Sequence, residues 1–323
     1  MSTTATRALV TSGTPSRRPR GAAPQRPRRR AHEGSRAETA TAWLFLVPFL
    51  VIFAVFTAIP TIIAIGASFT DMRARDIRDP LNVNITGLQS YTQILANPDF
   101  QRAFLNTVLF VVLCVPLSML LGFALALMLN GAIRRLRTFF RAAVYVPVIT
   151  NIVAAAVIWQ YAFSISGPVN SALANIGIQA VNWLGQPDWA FTTVVMMGVW
   201  RNAGTCMVLF LAGLQAVPEE IYEAAQTDGA SGPRRLWSIT LPLLRPTTLL
   251  VTILMTVSFL NIFEEPFLLT KGGPLSATTS MALWVYQQFG FGNISASMAG
   301  SVILLILVGI VSVIQFRLLR PKH

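Results

Sequence analysis

Three ionisable residues, Arg201, Glu264 and Glu265, interrupt segments that are otherwise apolar. An ionisable side chain within a long apolar segment is costly to bury and is a candidate functional group. A structural interpretation is that the long arginine side chain reaches the carboxylates and holds two segments together. A functional interpretation is that these groups form a polar wall for a hydroxylated solute. The two interpretations are compatible, and the sequence leaves both open.

Ser258, Asn261 and Glu265 follow the i, i+3, i+7 spacing that places side chains on one face of a helix. This face is the candidate solute path, because a sugar needs hydrogen-bond donors and acceptors as well as apolar surfaces for its ring faces. Polar residues in apolar helices also commonly join helices to each other. The other candidates for the path are aromatic or amide side chains: Trp200, Phe263, Asn151 and Gln160.

Several catalytic chemistries are absent from this sequence. The only histidines are His32 and His323, one near each end, so a histidine triad or histidine metal cluster in the body of the chain is excluded. Neither Lys271 nor Lys322, the only lysines, follows a glycine, so no G-x-x-x-x-G-K-[ST] phosphate loop exists. We therefore expect a non-catalytic chain without a metal site, energised by a partner or by an ion gradient.

The elements that must position these residues are apolar segments about as long as a bilayer is thick. Hydrophobic residues make up 54% of the 323-residue chain and charged residues only 12%, against about 25% charged residues in soluble domains. A bilayer is crossed by roughly 20 helical residues. The sequence therefore predicts an all-α polytopic membrane protein with six transmembrane helices, at 43–69, 103–129, 142–163, 191–214, 247–269 and 296–318.

The basic residues predict the orientation of these segments. The net charge is +12, and 19 of the 25 lysines and arginines fall in the tail 1–42, the loops 130–141 and 215–246, and the C-terminus. Basic residues mark the cytoplasmic side of a membrane, so both termini are predicted to be cytoplasmic. The charge is thus explained by topology, and no nucleic-acid partner is expected.

The N-terminal tail, 1–42, contains the stretch RRPRGAAPQRPRRR and few apolar residues. Such a composition cannot form a packed core, so we expect a disordered cytoplasmic tail. The apolar run after the tail exceeds the roughly 7–15 residues of a cleavable signal peptide. The first span is therefore predicted to be an uncleaved signal anchor.

The loop 215–246 is polar although it lies between two apolar segments. Pro218 suits the first position of a helix, Glu219 and Glu220 complement the helix dipole, and Gly229 suits the left-handed residue that ends a helix. The pattern predicts a helix over 218–228. One face of this helix would be thin enough for close approach by another protein, since it carries Ile221, Ala224, Ala225 and Asp228.

A second helix is predicted to follow in the same loop. Ser231 can cap a helix that begins at Pro233, and Pro242 should interrupt it. The loop is therefore expected to form a helix–turn–helix on the membrane surface.

The loop also carries a longer pattern: Glu223-Ala224-Ala225, three residues, Gly229, nine residues, Ile239, one residue and Leu241-Pro242. It matches E-A-A-x3-G-x9-I-x-L-P at every fixed position and so resembles the signature loop of binding-protein-dependent ABC importer permeases. The stretches FLAGLQAVPEEIYEAAQTDGA and LLTKGGPLSATTSMALWVYQQFGF resemble the carbohydrate-importer permeases of the MalF or UgpA type. The resemblance covers about residues 43–320, which would form the permease domain.

The resemblance implies a type I ABC importer permease fold in the cytoplasmic membrane of a bacterium or archaeon. It also implies a second homologous permease subunit, an ABC ATPase dimer and an extracytoplasmic solute-binding protein as partners, besides membrane lipid. ATP and Mg²⁺ would be bound by the ATPase, and this chain would hold no cofactor. The ATPase-coupling residues that the resemblance implies are Glu223, Ala224, Ala225, Asp228, Gly229, Ile239, Leu241 and Pro242.

Two other classes of protein are alternatives. An ion-coupled secondary transporter of a small polar solute should have a carboxylate at the bilayer midplane and inverted repeats. Here Glu264 and Glu265 lie about 27 Å beyond Pro246 if the helix is continuous, near the outer boundary, and no convincing repeat is present. A membrane enzyme or signalling component would need histidine clusters or a sizeable soluble domain. Oligosaccharides, monosaccharides and glycerol-phosphate-type solutes all remain open as substrates.

Overall fold

A computed structural model of the chain describes residues 36–79, 83–131 and 137–319. These residues divide into two compact units, one ending at Phe56 and the other beginning at Thr57. Residues 1–35 of the predicted tail 1–42 lie outside the described residues. Helix α1 already begins at Arg36, so residues 36–42 are helical.

The described residues are mainly helical, as predicted. Helix α1 covers Arg36–Phe53 in the first unit. A π-helical turn follows it in the chain at Ala54–Ala58. A short 3₁₀ turn lies at Ala74–Arg78 in the second unit. The helices of the second unit are α2 Ile59–Ala67, α3 Gln89–Ala96, α4 Pro98–Gly131, α5 Arg137–Ile149, α6 Ile152–Ala162, α7 Pro168–Asn175, α8 Pro187–Gln215, α9 Glu219–Thr227, α10 Gly232–Arg235, α11 Leu241–Leu243, α12 Arg245–Leu260, α13 Glu264–Thr270, α14 Met281–Gly290 and α15 Ile294–Leu319.

Four helical segments in the described part of the chain are long and apolar enough to cross a membrane. They are Trp43–Ala67, Pro98–Gly131, Pro187–Gln215 and Ile294–Leu318. Two further pairs of helices meet that criterion together but are bent, so the number of spans is six when each pair counts as one. The predicted first, second, fourth and sixth spans thus correspond to uninterrupted segments.

The third predicted span, 142–163, is not one straight helix. Phe139–Ile149 and Ile152–Ala162 meet at an angle of 94°. Asn151 starts the second helix, because its side-chain oxygen accepts hydrogen bonds from the backbone N–H groups of Val153, at 2.8 Å, and Ala154, at 3.4 Å. An asparagine in this cap position satisfies N–H groups that would otherwise lack partners, so the chain can turn here.

The prediction of a continuous fifth span at 247–269 is wrong. Helix α12 ends at Leu260, and α13 begins at Glu264 after a three-residue break. Pro266 explains the break, because proline has no N–H to donate to the carbonyl of the residue four positions earlier. That carbonyl belongs to Ile262, and it accepts a hydrogen bond from the Ser280 hydroxyl instead.

The loop between α13 and α14 is fixed by α4. The Asn106 side chain donates to the carbonyls of Ser276 and Thr279, both at 3.0 Å. The Thr107 hydroxyl accepts from the backbone N–H of Met281 at 2.8 Å. These hydrogen bonds hold the loop between α13 and α14 against α4.

Helices α4 and α8 pack together at the centre of the second unit, with a core that includes Phe110, Met197 and Met207. Free Cys114 and Cys206 are buried in the same core. Small residues allow helices in membranes to approach closely. At Gly122 the approach is so close that an added Cβ atom would lie 2.3 Å from the Cβ of Cys206 and 2.9 Å from the backbone nitrogen of Met207.

We expect Gly122→Ala to destabilise the protein by about 1–3 kcal/mol, the usual cost of overpacking a core. The control is Gly309→Ala in α15, because a Cβ atom at Gly309 would meet nothing within 4 Å. The thermal unfolding midpoint of the purified transporter complex measures the difference. Equal midpoints for the two variants would show that α4 and α8 do not pack as closely as described.

Candidate functional site

Arg201 joins α8 to the start of α13. It lies midway along α8, 14 residues from each end of Pro187–Gln215. Its Nη1 atom donates to Glu264 Oε2 at 2.8 Å and to Glu265 Oε1 at 3.1 Å. These contacts agree with the structural interpretation, in which Arg201 reaches the two carboxylates and holds two segments together.

The two carboxylates differ in their surroundings. The side chain of Glu265 is 6% exposed, whereas that of Glu264 is 48% exposed. A buried carboxylate needs a charged or hydrogen-bonding partner, and Arg201 is that partner for Glu265. Glu264 also accepts a hydrogen bond from Arg201, but its side chain is exposed.

A cavity of about 460 Å³ adjoins this ion pair. It brings together six of the predicted solute-path residues, which come from α8, the end of α12, the break and α13: Arg201, Ser258, Asn261, Phe263, Glu264 and Glu265. Asn202 and Thr205 also line the cavity and were not predicted. Thr205 lies four residues after Arg201, so the i, i+4 spacing of a helix could have identified it.

The break changes how these residues meet. The predicted face with i, i+3, i+7 spacing does not form, because α12 ends before Asn261. Ser258, Asn261 and Glu265 nevertheless line one cavity. Asn261 also donates from Nδ2 to the carbonyl of Val257 at 2.9 Å, which binds part of its side chain to α12.

The contact agrees with the expected reach of the arginine. Arg201 lies midway along α8, and both carboxylates lie within hydrogen-bonding distance of its side chain. The depth of the two glutamates near the outer boundary stays a prediction.

Two aromatic rings, those of Phe259 and Phe263, line the cavity. Phe263 stacks on Phe267, with ring centroids 5.2 Å apart, and Tyr286 contacts both rings edge-on. Phe267 and Tyr286 were not predicted from the sequence. Trp200 packs instead on Trp159 at 5.7 Å and does not line the cavity.

The two amide candidates on the third span make structural contacts. Asn151 caps α6 and lies outside the cavity lining. Gln160 donates from Nε2 to the carbonyl of Leu268 at 2.7 Å and so ties α6 to α13. The hydrogen bond from Gln160 and the ion pairs of Arg201 thus both hold α13 in place.

The loop 215–246 forms the predicted first helix, α9. Pro218 was predicted to be the first residue of this helix, but it is the cap residue that precedes the helix. Gly229 ends the turn with φ of +72°. The backbone N–H of Ala230 donates to Ala225 and that of Gly229 donates to Gln226, which is the hydrogen-bond pattern of a Schellman motif.

The predicted thin face of α9 is corrected at one position. Ile221, Ala224 and Asp228 are exposed, but Ala225 is only 7% exposed and is buried by this chain itself. Glu223 and Gly229 are also exposed. The surface that a partner could reach is therefore formed by Ile221, Glu223, Ala224, Asp228 and Gly229.

The second half of the loop packs back on α9. The Tyr222 hydroxyl lies 3.3 Å from that of Thr240. Ser231 occupies the cap position of α10, which begins at Gly232 and not at Pro233. Pro242 lies in the short α11, and the chain bends by 68° between Leu243 and Arg245 to enter α12. Ile239, Leu241 and Pro242 are half-buried.

We expect Arg201→Gln to destabilise the protein by up to about 3 kcal/mol, because it leaves the buried Glu265 carboxylate without its cation. Removing one partner of a fully buried ion pair costs about 3–5 kcal/mol. We expect no more than the lower end of that range because the Arg201 side chain is 31% exposed. Thermal unfolding of Arg201→Gln, Glu265→Gln and the double variant forms a double-mutant cycle. The double variant should recover part of the loss, and strictly additive losses would contradict the pairing.

Bent and broken spans around a polar cavity are typical of membrane transport proteins. Residues 95–323 match the family described as "Binding-protein-dependent transport system inner membrane component". The chain belongs to this family. It is a multi-pass membrane protein and a permease of the ABC transporter class.

Relatives and solved structures agree with this assignment. The chain is 35% identical over 272 residues to a trehalose/maltose transport system permease protein MalF of Thermococcus litoralis, covering 84% of this chain and 90% of the relative. It is 31% identical over 286 residues to a lactose transport system permease protein LacF of Rhizobium radiobacter, covering 87% and 94%.

A crystal structure of a bacterial alginate ABC transporter, in complex with an alginate pentasaccharide-bound periplasmic protein, contains a chain of the same fold. The TM-score is 0.77 at 23% identity, and the match covers 88% of this chain and 95% of that one. The predicted type I permease fold is thereby confirmed.

Proposed function

We propose that this chain is one membrane-spanning subunit of an ATP-driven importer and that it carries a sugar or sugar-like solute into the cytoplasm. The observation that carries the proposal is the cavity beside Arg201, where hydroxyl, amide and carboxylate groups adjoin aromatic rings. Such a wall suits a sugar, whose hydroxyl groups need hydrogen bonds and whose ring faces pack on aromatic surfaces. The named substrates of the relatives, trehalose, maltose and lactose, support the same class of solute.

In this proposal, the cytoplasmic loop couples ATP hydrolysis by the partner ATPase to movement of the spans in this chain. In the proposed assembly, α9 docks on an ABC ATPase subunit through the exposed Ile221, Glu223, Ala224, Asp228 and Gly229. Ala225 acts from within, because its small side chain lets α9 pack against its own chain. Ile239, Leu241 and Pro242 belong to the half-buried segment that connects this contact to α12. A rigid connection transmits movement of the ATPase to the spans.

The remaining parts of the assembly are supplied by partners. A second, homologous permease subunit completes the membrane path, and an extracytoplasmic binding protein delivers the solute. The ATPase dimer binds ATP and Mg²⁺, and this chain carries out no catalysis. The excess of basic residues in the tail, the two loops and the C-terminus supports an orientation with both termini in the cytoplasm.

Uptake energetics test the proposed function against the ion-coupled alternative. We expect accumulation of a neutral oligosaccharide by cells that express the complete transporter to continue in the presence of an ionophore and to stop when ATP is depleted. An ion-coupled transporter would give the reverse result. Uptake that persists without ATP would overturn the proposal.

A substitution at Gly229 tests the coupling role of the loop. The left-handed backbone there costs a residue with a side chain about 1–2 kcal/mol, so Gly229→Val should distort the end of α9 and reduce uptake about tenfold. ATP hydrolysis by the complex should persist, because the ATPase sites lie on another chain. Uptake and hydrolysis are measured on the same reconstituted transporter.

Gly232→Val is the matched control for Gly229→Val. Both glycines lie in the same loop, and a Cβ atom at either would meet nothing within 4 Å, but only Gly229 has a positive φ. The control should transport normally. If Gly229→Val also transports normally, the coupling role assigned to this turn is wrong.

A further inference from the structure

We propose that the cavity beside Arg201 selects uncharged or cationic solutes and rejects anionic ones, and that Glu264 is the specificity-determining residue. This inference rests on the proposed function, because it names the class of solute that the same cavity admits. It favours neutral sugars and amino sugars over uronates, sugar phosphates and glycerol-phosphate-type solutes.

The charge balance of the cavity is the first observation behind this inference. One guanidinium faces two carboxylates, so the three groups carry a formal charge of −1. The other described residues that line the cavity are uncharged: Val148, Asn202, Thr205, Ser258, Phe259, Asn261, Ile262 and Phe263. A negatively charged solute therefore meets an excess of its own charge.

Arg201, the one cationic residue among the described lining residues, is already paired with the two carboxylates. Arg201 Nη1 donates to both Glu264 and Glu265, at 2.8 and 3.1 Å. An anionic solute could bind Nη1 only by displacing one of these carboxylates, and at the other N–H groups of the guanidinium it would still lie beside both negative charges. Displacing Glu265 would leave a carboxylate buried without a partner, which is costly.

The two carboxylates then divide into a positioning residue and a selecting residue. Glu265 is buried and holds Arg201 in place, so we assign it the positioning role. Glu264 is half-exposed on the cavity side of the same arginine. Its carboxylate can accept hydrogen bonds from a hydroxyl or an ammonium group of a solute, but it repels a carboxylate or a phosphate.

The size of this selection follows from Coulomb's law. One unit charge within about 8 Å of another, at an effective dielectric constant near 20, changes affinity by a factor on the order of tenfold or more. Removing the Glu264 charge should therefore move the ratio of neutral to anionic binding by about tenfold. A residue with a purely structural role would weaken binding of both solutes alike.

The test measures solute binding to the complete permease pair and its ATPases in lipid nanodiscs, without the binding protein, which has its own selectivity. The probes are maltotriose and its counterpart with one terminal glucuronate, which differ by one carboxylate. Saturation-transfer NMR titrations give the affinity of each. The wild-type transporter should bind maltotriose at least about tenfold more tightly than the uronate.

Three variants isolate the contribution of this chain. Glu264→Gln should narrow the affinity ratio by about tenfold, mainly by strengthening uronate binding. Ser258→Asp, which adds a negative charge to the same wall, should widen the ratio. Asp188→Asn is the charge-matched control in the first turn of α8, and it should leave the ratio unchanged.

The outcomes distinguish this inference from the proposed function. Equal affinities in the wild type, or a ratio that neither Glu264→Gln nor Ser258→Asp moves, would overturn the charge selection while the sugar cavity stands. If the wild type binds neither solute, the cavity is not the sugar path and the proposed function itself fails at this point.

Discussion

The contact of Arg201 with Glu264 and Glu265 is the constraint on which the described site depends. A carboxylate as buried as that of Glu265 is tolerated only beside a cation or a set of hydrogen-bond donors. Arg201 meets this need from the middle of α8, and so α13 must lie beside that part of the helix. The cavity adjoins this contact, and residues of the break between α12 and α13 line it.

Backbone chemistry places the break where the ion pair needs it. Pro266 leaves the carbonyl of Ile262 without its helical partner, and the hydroxyl of Ser280 binds that carbonyl instead. Asn106 fixes the loop that carries Ser280, while Gln160 binds α13 from its other side. Residues of α4 and α6, together with the cap residue of α14, thus hold a short helix that would be marginal alone.

The sequence was sufficient for the features that depend on local chemistry. Length and apolar composition located the four uninterrupted spans, since a bilayer imposes a similar length on every crossing helix. Gly229 was correctly assigned a left-handed turn, because few other residues tolerate that backbone. The pairing of Arg201 with the glutamates was also anticipated, because long apolar segments leave a charge few partners.

The features that depend on tertiary contacts were missed. The hydropathy of 247–269 does not reveal that Ser280 stabilises a break within it, and the signal of Pro266 was overlooked. Ala225 was assigned to an open face because helical periodicity groups it with Ala224, but Tyr222 and Thr240 hold the second half of the loop against α9. Periodicity shows which residues share a face and not which protein covers it.

The most direct test of the site is an electron cryo-microscopy structure of the complete transporter in lipid with a neutral oligosaccharide bound. The account predicts non-helical backbone at 261–263, Arg201 within hydrogen-bonding distance of both carboxylates, and solute density against Ser258 and Glu264. A continuous helix through 261–263, with Arg201 turned away from Glu265, would contradict it.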